Sequence, residues 1–213
     1  MPKPNIFLDY GGLIFNYDFN DKTLFRAHNL TLTYFNSIGF NLDLDKISAA
    51  HDRAIKAYLQ ARKHDFAEWN MSQIIGLMTE NLGINSPALT SQIATIYKLN
   101  DHDATPKGSS PEILADLAQR RKLGIISNLP HDSLAYELQK YGMRSLFDTI
   151  TVSYQVGVRK PHPEIYLEAM RRAGAKPGNS LFISHDEPEV RGARAVGMEA
   201  ILTDSLEEMI GAG

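Results

Sequence analysis

From residue 111 onward, short apolar runs alternate with stretches of helical periodicity, and this alternation restricts the fold more than any other feature of the chain. Pro111 opens a helix to about Arg121, and Leu123-Gly124-Ile125-Ile126 is an apolar run ending in Ser127-Asn128. A helix near Ser133 to Tyr141, a strand near Thr149 to Val152, a helix near Pro163 to Ala173 and a strand at Leu181-Phe182-Ile183 follow. A helix near Glu189 to Val196, a strand at Glu199 to Leu202 and a short helix from Ser205 to Ile210 complete the pattern. Strands separated by helices imply right-handed βαβ units in a parallel sheet, with ligands at the carboxyl ends of the strands. The expected fold class is therefore α/β, a Rossmann-like parallel sheet with helices on both faces, and the polar residues at strand ends become the candidates for function.

The first strand of that sheet lies far upstream. Ile6-Phe7-Leu8 is a short apolar run that stops at Asp9 and meets Gly11-Gly12, which reads as a buried strand with a carboxylate at its tip and a turn behind it. Between it and the alternating region the period changes. Apolar residues recur at three and four in Leu24-Phe25, Leu32 and Phe35, and again in Ile47, Ala50, Ala54, Ile55, Tyr58 and Leu59. A third helix is expected from about Phe66 to Leu82, ending at Gly83, and a fourth from about Ala88 to Leu99, with no strand among them. Residues 1–18 and 101–213 are thus assigned to the core domain, and residues 19–100 to a helical domain inserted into it.

Composition narrows the function classes. At 213 residues with 43% hydrophobic content the chain can bury a core of this size. A formal charge of −3 offers no basic stripe for a nucleic acid and no polybasic anchor for a membrane, so a small-molecule substrate is the expected partner. With no cysteine, thiol nucleophiles and zinc–thiolate sites are excluded. The start Met-Pro-Lys-Pro-Asn carries no signal-peptide apolar core, and no apolar run is long enough to span a membrane, so a cytoplasmic location is expected.

Three polar residues stand at or between the strand ends: Asp9, Ser127 and Lys160. A fourth group, Ser184-His185-Asp186-Glu187-Pro188-Glu189, follows the strand at 181–183. A carboxylate, a hydroxyl, a lysine and an acid at one sheet edge can bind an anion and attack it. Asp9 would attack in line, Ser127 and Asn128 would hydrogen-bond substrate oxygens beside the Gly11-Gly12 turn, and Lys160 would offset negative charge. A divalent cation at such a site would take hard oxygen ligands. Asp9, Ser127 and Lys160 also have bland readings as a turn carboxylate, a helix N-cap and a loop lysine, and acids at 186 and 189 are favoured at a helix start whether or not they bind anything. His185 is read either as a solvated loop residue or as an acid or base near neutral pH. The other histidines have no metal-ligand spacing.

Phe-Leu-Asp-Tyr-Gly-Gly-Leu-Ile-Phe (7 to 15), Ile-Ile-Ser-Asn (125 to 128), Lys-Pro-His-Pro-Glu-Ile-Tyr (160 to 166) and Phe-Ile-Ser-His-Asp-Glu-Pro-Glu-Val-Arg-Gly-Ala-Arg-Ala-Val-Gly-Met (182 to 198) occur in the order of the four motifs of the haloacid dehalogenase superfamily, which the chain resembles over nearly its whole length. The helical insertion after the first motif resembles a C1-type cap. The resemblance implies a hydrolase with Asp9 as nucleophile, Ser127 binding the transferred group and Lys160 as electrostatic partner, most simply a phosphatase of a small organic phosphate passing through an aspartyl-phosphate. It also implies magnesium, held by Asp9, the Gly11 position, Asp186 and Glu189.

The departures point elsewhere. The second Asp expected two residues after the nucleophile is Gly11, the usual Thr is Leu13, and the first magnesium-binding Asp of the fourth motif falls on Ser184, with Glu189 as its second acid. Ser184, Asp186 and Glu189 resemble the Ser-x-Asn-x-x-Asp pattern of L-2-haloacid dehalogenases, which use no metal and take up halide with a cap arginine, for which Arg26 and Arg53 are the candidates. A metal-independent dehalogenase and a non-catalytic binding protein of the same fold are the alternatives.

Overall fold

The structure, a computed structural model, describes residues 5–211. In chain order, β1 (Asn5–Leu8) and β2 (Phe15–Asp18) precede four helices, α1 (Asp21–Ser37), α2 (Leu44–Asp65), α3 (Met71–Asn81) and α4 (Pro87–Asn100). Then come β3 (Asp103–Pro106), α5 (Ser110–Arg120), β4 (Lys122–Ser127), α6 (Ser133–Lys140), β5 (Thr149–Val152), the single turn α7 (Ser153–Val156) and α8 (Pro163–Ala173). The chain finishes with β6 (Ser180–Ser184), α9 (Glu187–Ala195), β7 (Glu199–Leu202) and α10 (Leu206–Gly211).

Five strands form one sheet in the order β5-β4-β1-β6-β7, and every pairing is parallel. Strand alternation sends neighbouring side chains to opposite faces, and the core divides accordingly. Ile6, Leu8, Leu123, Ile125 and Ile183 pack with Leu114 of α5, Leu134 and Leu138 of α6 and Leu206 of α10. Phe7, Ile126 and Phe182 pack with Ile165, Tyr166 and Ala169 of α8 and Ala193 of α9. Both faces are therefore covered by helices, as a parallel sheet requires. Burying a side chain such as Leu8 or Phe7 contributes about 1.5–3 kcal/mol, and both are at most 1% exposed.

The chain separates into two compact units, one of the described residues up to Tyr17 and from Ala104, the other of Asp18–Asp103. The second has its own core, in which Ala27 and Phe35 of α1, Ile47, Ala50 and Ala54 of α2, Ile74, Ile75 and Met78 of α3, and Ile93 and Tyr97 of α4 pack together. α3 starts five residues later than its periodicity predicts. Phe66 takes a left-handed conformation (φ 56°) that ends α2, and Asn70 then caps α3 in a reciprocal box with Gln73. β2 and β3 pair as a two-stranded sheet that local pattern does not announce.

Candidate active site

Register places the site before any side chain is considered. Leu8 lies opposite Ile125 and Ile183, so Asp9 leaves β1 level with Ser184 at the end of β6, while Ser127 ends β4 one residue further along. The Asp9 amide continues the ladder to the Ile183 carbonyl at 2.9 Å. Lys160 reaches this edge from the loop before α8, and its ammonium, fully buried, donates to Asp9 Oδ1 at 2.6 Å and lies 2.7 Å from Glu189 Oε2. Asp9 Oδ1 also accepts from the Tyr10 amide at 2.8 Å. The other Asp9 oxygen, Oδ2, lies 3.1 Å from His185 Nδ1 and 3.4 Å from Ser184 Oγ.

The charges are mutually dependent. Burial pushes the Asp9 carboxyl up, but the Lys160 ammonium and the hydrogen bond from His185 outweigh it and hold Asp9 below the usual carboxylate range. Burial opposes the charge of Lys160 as well, and Asp9 and Glu189 together keep it a firm cation. Glu189 moves the other way, upward, because burial and the neighbouring Asp9 exceed the help of Lys160. His185 is raised, chiefly by its hydrogen bond to Asp9. The result is an ionised, immobilised carboxylate, the state a nucleophile requires.

A surrounding set of contacts fixes this centre. Asn128 accepts from the Lys160 amide at 2.8 Å through Oδ1 and donates to Glu189 Oε1 at 3.1 Å through Nδ2, so it ties the lysine loop to the acid. Ser184 Oγ donates to Glu189 Oε2 at 2.8 Å, and the Tyr166 hydroxyl donates to the Glu189 carbonyl at 2.7 Å. Gly192 lets α9 approach the lysine loop, since a Cβ there would meet the Pro161 carbonyl oxygen at 2.7 Å. Gly12 sits at φ +83°, and a Cβ on it would lie 2.6 Å from His185 Cε1, so the glycine turn is shaped around that ring.

The structure thus brings Asp9, Lys160, Asn128 and Glu189 together, with Ser127, Gly11 and Gly12 at the same edge. Asp186 stands apart in function: its Oδ1 accepts from the Glu189 amide at 3.1 Å as the N-cap of α9. Lys107 carried no sequence signal, being one lysine in a polar stretch. Its ammonium donates to the carbonyls of Gly12 and Asp204, each at 2.6 Å, and so braces the glycine turn. Of the two arginines considered for an anion, Arg26 bonds Asp103 and the Asn100 carbonyl, and Arg53 reaches the Asn81 carbonyl.

Magnesium takes near-octahedral oxygen ligands at about 2.1 Å, and the residues here do not present that set. Both oxygens of Asp9 and both of Glu189 face donors, namely Lys160, His185, Ser184, Asn128 and the Tyr10 amide. A neutral hydroxyl, Ser184, occupies the level where a further carboxylate is expected, and Asp186 caps a helix. The magnesium set expected at Asp9, Gly11, Asp186 and Glu189 is thus a poor fit to the geometry.

An ionised, lysine-paired aspartate thus stands at the end of the central strand of a parallel α/β sheet. A family model described as haloacid dehalogenase-like hydrolase matches residues 21–203, and the chain belongs to that family. The match begins after Asp9, so β1 and Asp9 lie outside it. The glyceraldehyde 3-phosphate phosphatase of Methanopyrus kandleri is 30% identical over 96 residues, covering 43% of this chain and 41% of that protein. Matches to the first curated relatives thus span less than half of those proteins' length. Among solved structures, the 2-haloacid dehalogenase from Pseudomonas syringae pv. Tomato DC3000 covers 96% of this chain and 87% of its own at a TM-score of 0.67 and 18% identity. The HAD phosphatase from Thermococcus onnurineus covers 95% and 86% at 0.59 and 19%. These two similarities concern the fold alone.

Proposed function

We propose that this chain is a hydrolase of a small organic phosphate with Asp9 as its nucleophile. The observation that carries the reading is the Asp9 carboxylate held ionised between Lys160 Nζ at 2.6 Å and His185 Nδ1 at 3.1 Å, at the carboxyl edge of the sheet. Asp9 attacks phosphorus in line, the P–O bond to the leaving group breaks, and an aspartyl-phosphate forms. Lys160 offsets the charge of nucleophile and phosphate, and Ser127 with the Gly11-Gly12 turn hydrogen-bonds the phosphoryl oxygens. The leaving alkoxide takes its proton from water or His185, since Gly11 stands where a carboxylic acid is expected. Water then attacks phosphorus and frees Asp9 with inorganic phosphate. Residues 19–100 act as a cap that chooses the leaving group.

One observation favours a second reading. Ser184 hydrogen-bonded to Glu189, with Lys160 between Glu189 and Asp9, matches the metal-free dehalogenase pattern. There Asp9 attacks carbon, halide leaves, and water opens the resulting ester. The test is phosphate release from p-nitrophenyl phosphate beside chloride release from 2-chloropropionate. Phosphate release that drops by more than about a thousandfold in Asp9→Asn is the expected result. Chloride release alone, lost in the same variant, moves the assignment to the dehalogenase, and turnover retained by Asp9→Asn overturns both.

A further inference from the structure

We propose that His185 replaces a divalent cation beside the nucleophile: its ring fills the space at Asp9 Oδ2 and makes the site work without a metal ion. The proposal rests on the reading of Asp9 as nucleophile. His185 Nδ1 lies 3.1 Å from Asp9 Oδ2, the oxygen that Lys160 does not bind. The glycine turn is built for this ring. Gly12 holds a backbone conformation that L side chains rarely adopt, and any Cβ there would come within 3.0 Å of three ring atoms of His185.

The surroundings argue the same way. A cation at Asp9 Oδ2 would have to displace the His185 ring from that oxygen. Ser184, level with Asp9 on the adjacent strand, brings a hydroxyl committed to Glu189 instead of a carboxylate. Lys160 and His185 therefore divide the task that a metal ion would perform. Lys160 supplies fixed positive charge on one oxygen, and His185 orients the other while its outer face remains reachable from solvent, the side chain being 38% exposed.

Two measurements on the full chain decide the matter. In metal-stripped buffer, wild type is expected to leave the electron paramagnetic resonance signal of free Mn²⁺ unchanged, whereas Ser184→Asp combined with His185→Gly, which restores an acid and removes the ring, is expected to bind Mn²⁺ and quench it. His185→Asn, which can keep a donor near Oδ2, guards against a double variant that fails to fold. Turnover should be equal in chelator and in excess Mg²⁺ for wild type, fall about 100-fold in His185→Ala, and recover in part in His185→Asn. Mn²⁺ binding by wild type that disappears in Asp9→Asn overturns the proposal, as does a tenfold gain in wild-type turnover with Mg²⁺ or an unaltered rate in His185→Ala. The Mn²⁺ reading needs no turnover, so it stands even where Asp9→Asn shows that Asp9 is not the nucleophile.

Discussion

Among the buried polar side chains of the described residues, burial has opposite consequences for one group at the sheet edge and another in the helical unit. At the sheet edge, Asp9 and Glu189 lie within 2.7 Å of the shared Lys160 ammonium, and every oxygen of the two acids faces a donor. In the helical unit, His28 and His51 lie between α1, α2 and α4, with the His51 ring stacked on Tyr97 at 4.7 Å between centroids. Among the described residues, His28 Nε2 and His51 Nδ1 have no hydrogen-bond partner. Burial pushes His51 down to about 3, so its ring is neutral at pH 7. Charge survives desolvation only where opposite charge is arranged to meet it, and that arrangement separates the sheet edge from the interior of the helical unit.

The strongest way to break the comparison is to remove the shared cation. Lys160→Met takes the shared ammonium from Asp9 and Glu189, leaving Asp9 with His185 and Glu189 with no cation, and losing one partner of a buried ion pair costs about 3–5 kcal/mol. Urea unfolding at pH 7 should show a loss of that size, with turnover falling below detection. A stability change under 1 kcal/mol (roughly the worth of an exposed pair) would mean that the edge is as wet as a surface and that the contrast is false.

A smaller effect sharpens the role of the turn. Gly12→Ala forces a side chain into φ +83° and against His185, whereas Gly11→Ala places a Cβ at an ordinary 3.5 Å from Tyr17. A non-glycine residue in this region costs about 1–3 kcal/mol, so Gly12→Ala should unfold at lower urea than Gly11→Ala. Turnover should fall further than stability explains, because the ring beside Asp9 is displaced. Equal midpoints for the two variants would remove the argument that the turn is shaped around His185.

Much of the edge was legible in the sequence for a physical reason. In a parallel sheet the carboxyl ends converge, so Asp9, Ser127 and the acids after β6 could be placed together from strand ends alone, and Lys160 followed from its motif. What local pattern could not give was orientation. Motif spacing put Glu189 at the second acid position but did not say which way either acid turns: Asp186 turns back to cap α9 while Glu189 turns inward to Lys160. His185 stayed open between a solvated loop residue and an acid or base, because a residue just past a strand end can turn its ring to solvent or, as here, to Asp9. β2 and β3 were invisible for a similar reason: each has 4 residues, β3 ends in Pro106, and their pairing spans the whole helical insertion. Lys107 bonds carbonyls, and backbone acceptors leave no trace in a residue pattern.

The smallest expected effect lies in the helical unit and tests the other half of the comparison. At pH 7 His51→Phe removes a buried nitrogen without a partner and keeps a ring against Tyr97, so stability should move by less than about 1 kcal/mol in either direction. Acid should then separate the two proteins. His51 titrates near 6.5 when unfolded and at about 3 when folded, so between these values the unfolded chain binds the extra proton and wild type loses stability as pH falls. The loss approaches about 1.4 kcal/mol per pH unit in that window and is absent above it. Asp9 contributes acid loss of its own, since its folded value is depressed, but it does so in both proteins and cancels in the difference. Urea midpoints of wild type and His51→Phe measured from pH 7 to pH 4 should therefore diverge, with the variant the more stable at low pH. Parallel curves would mean that His51 takes up its proton inside the folded helical unit, and that this interior tolerates charge as the sheet edge does.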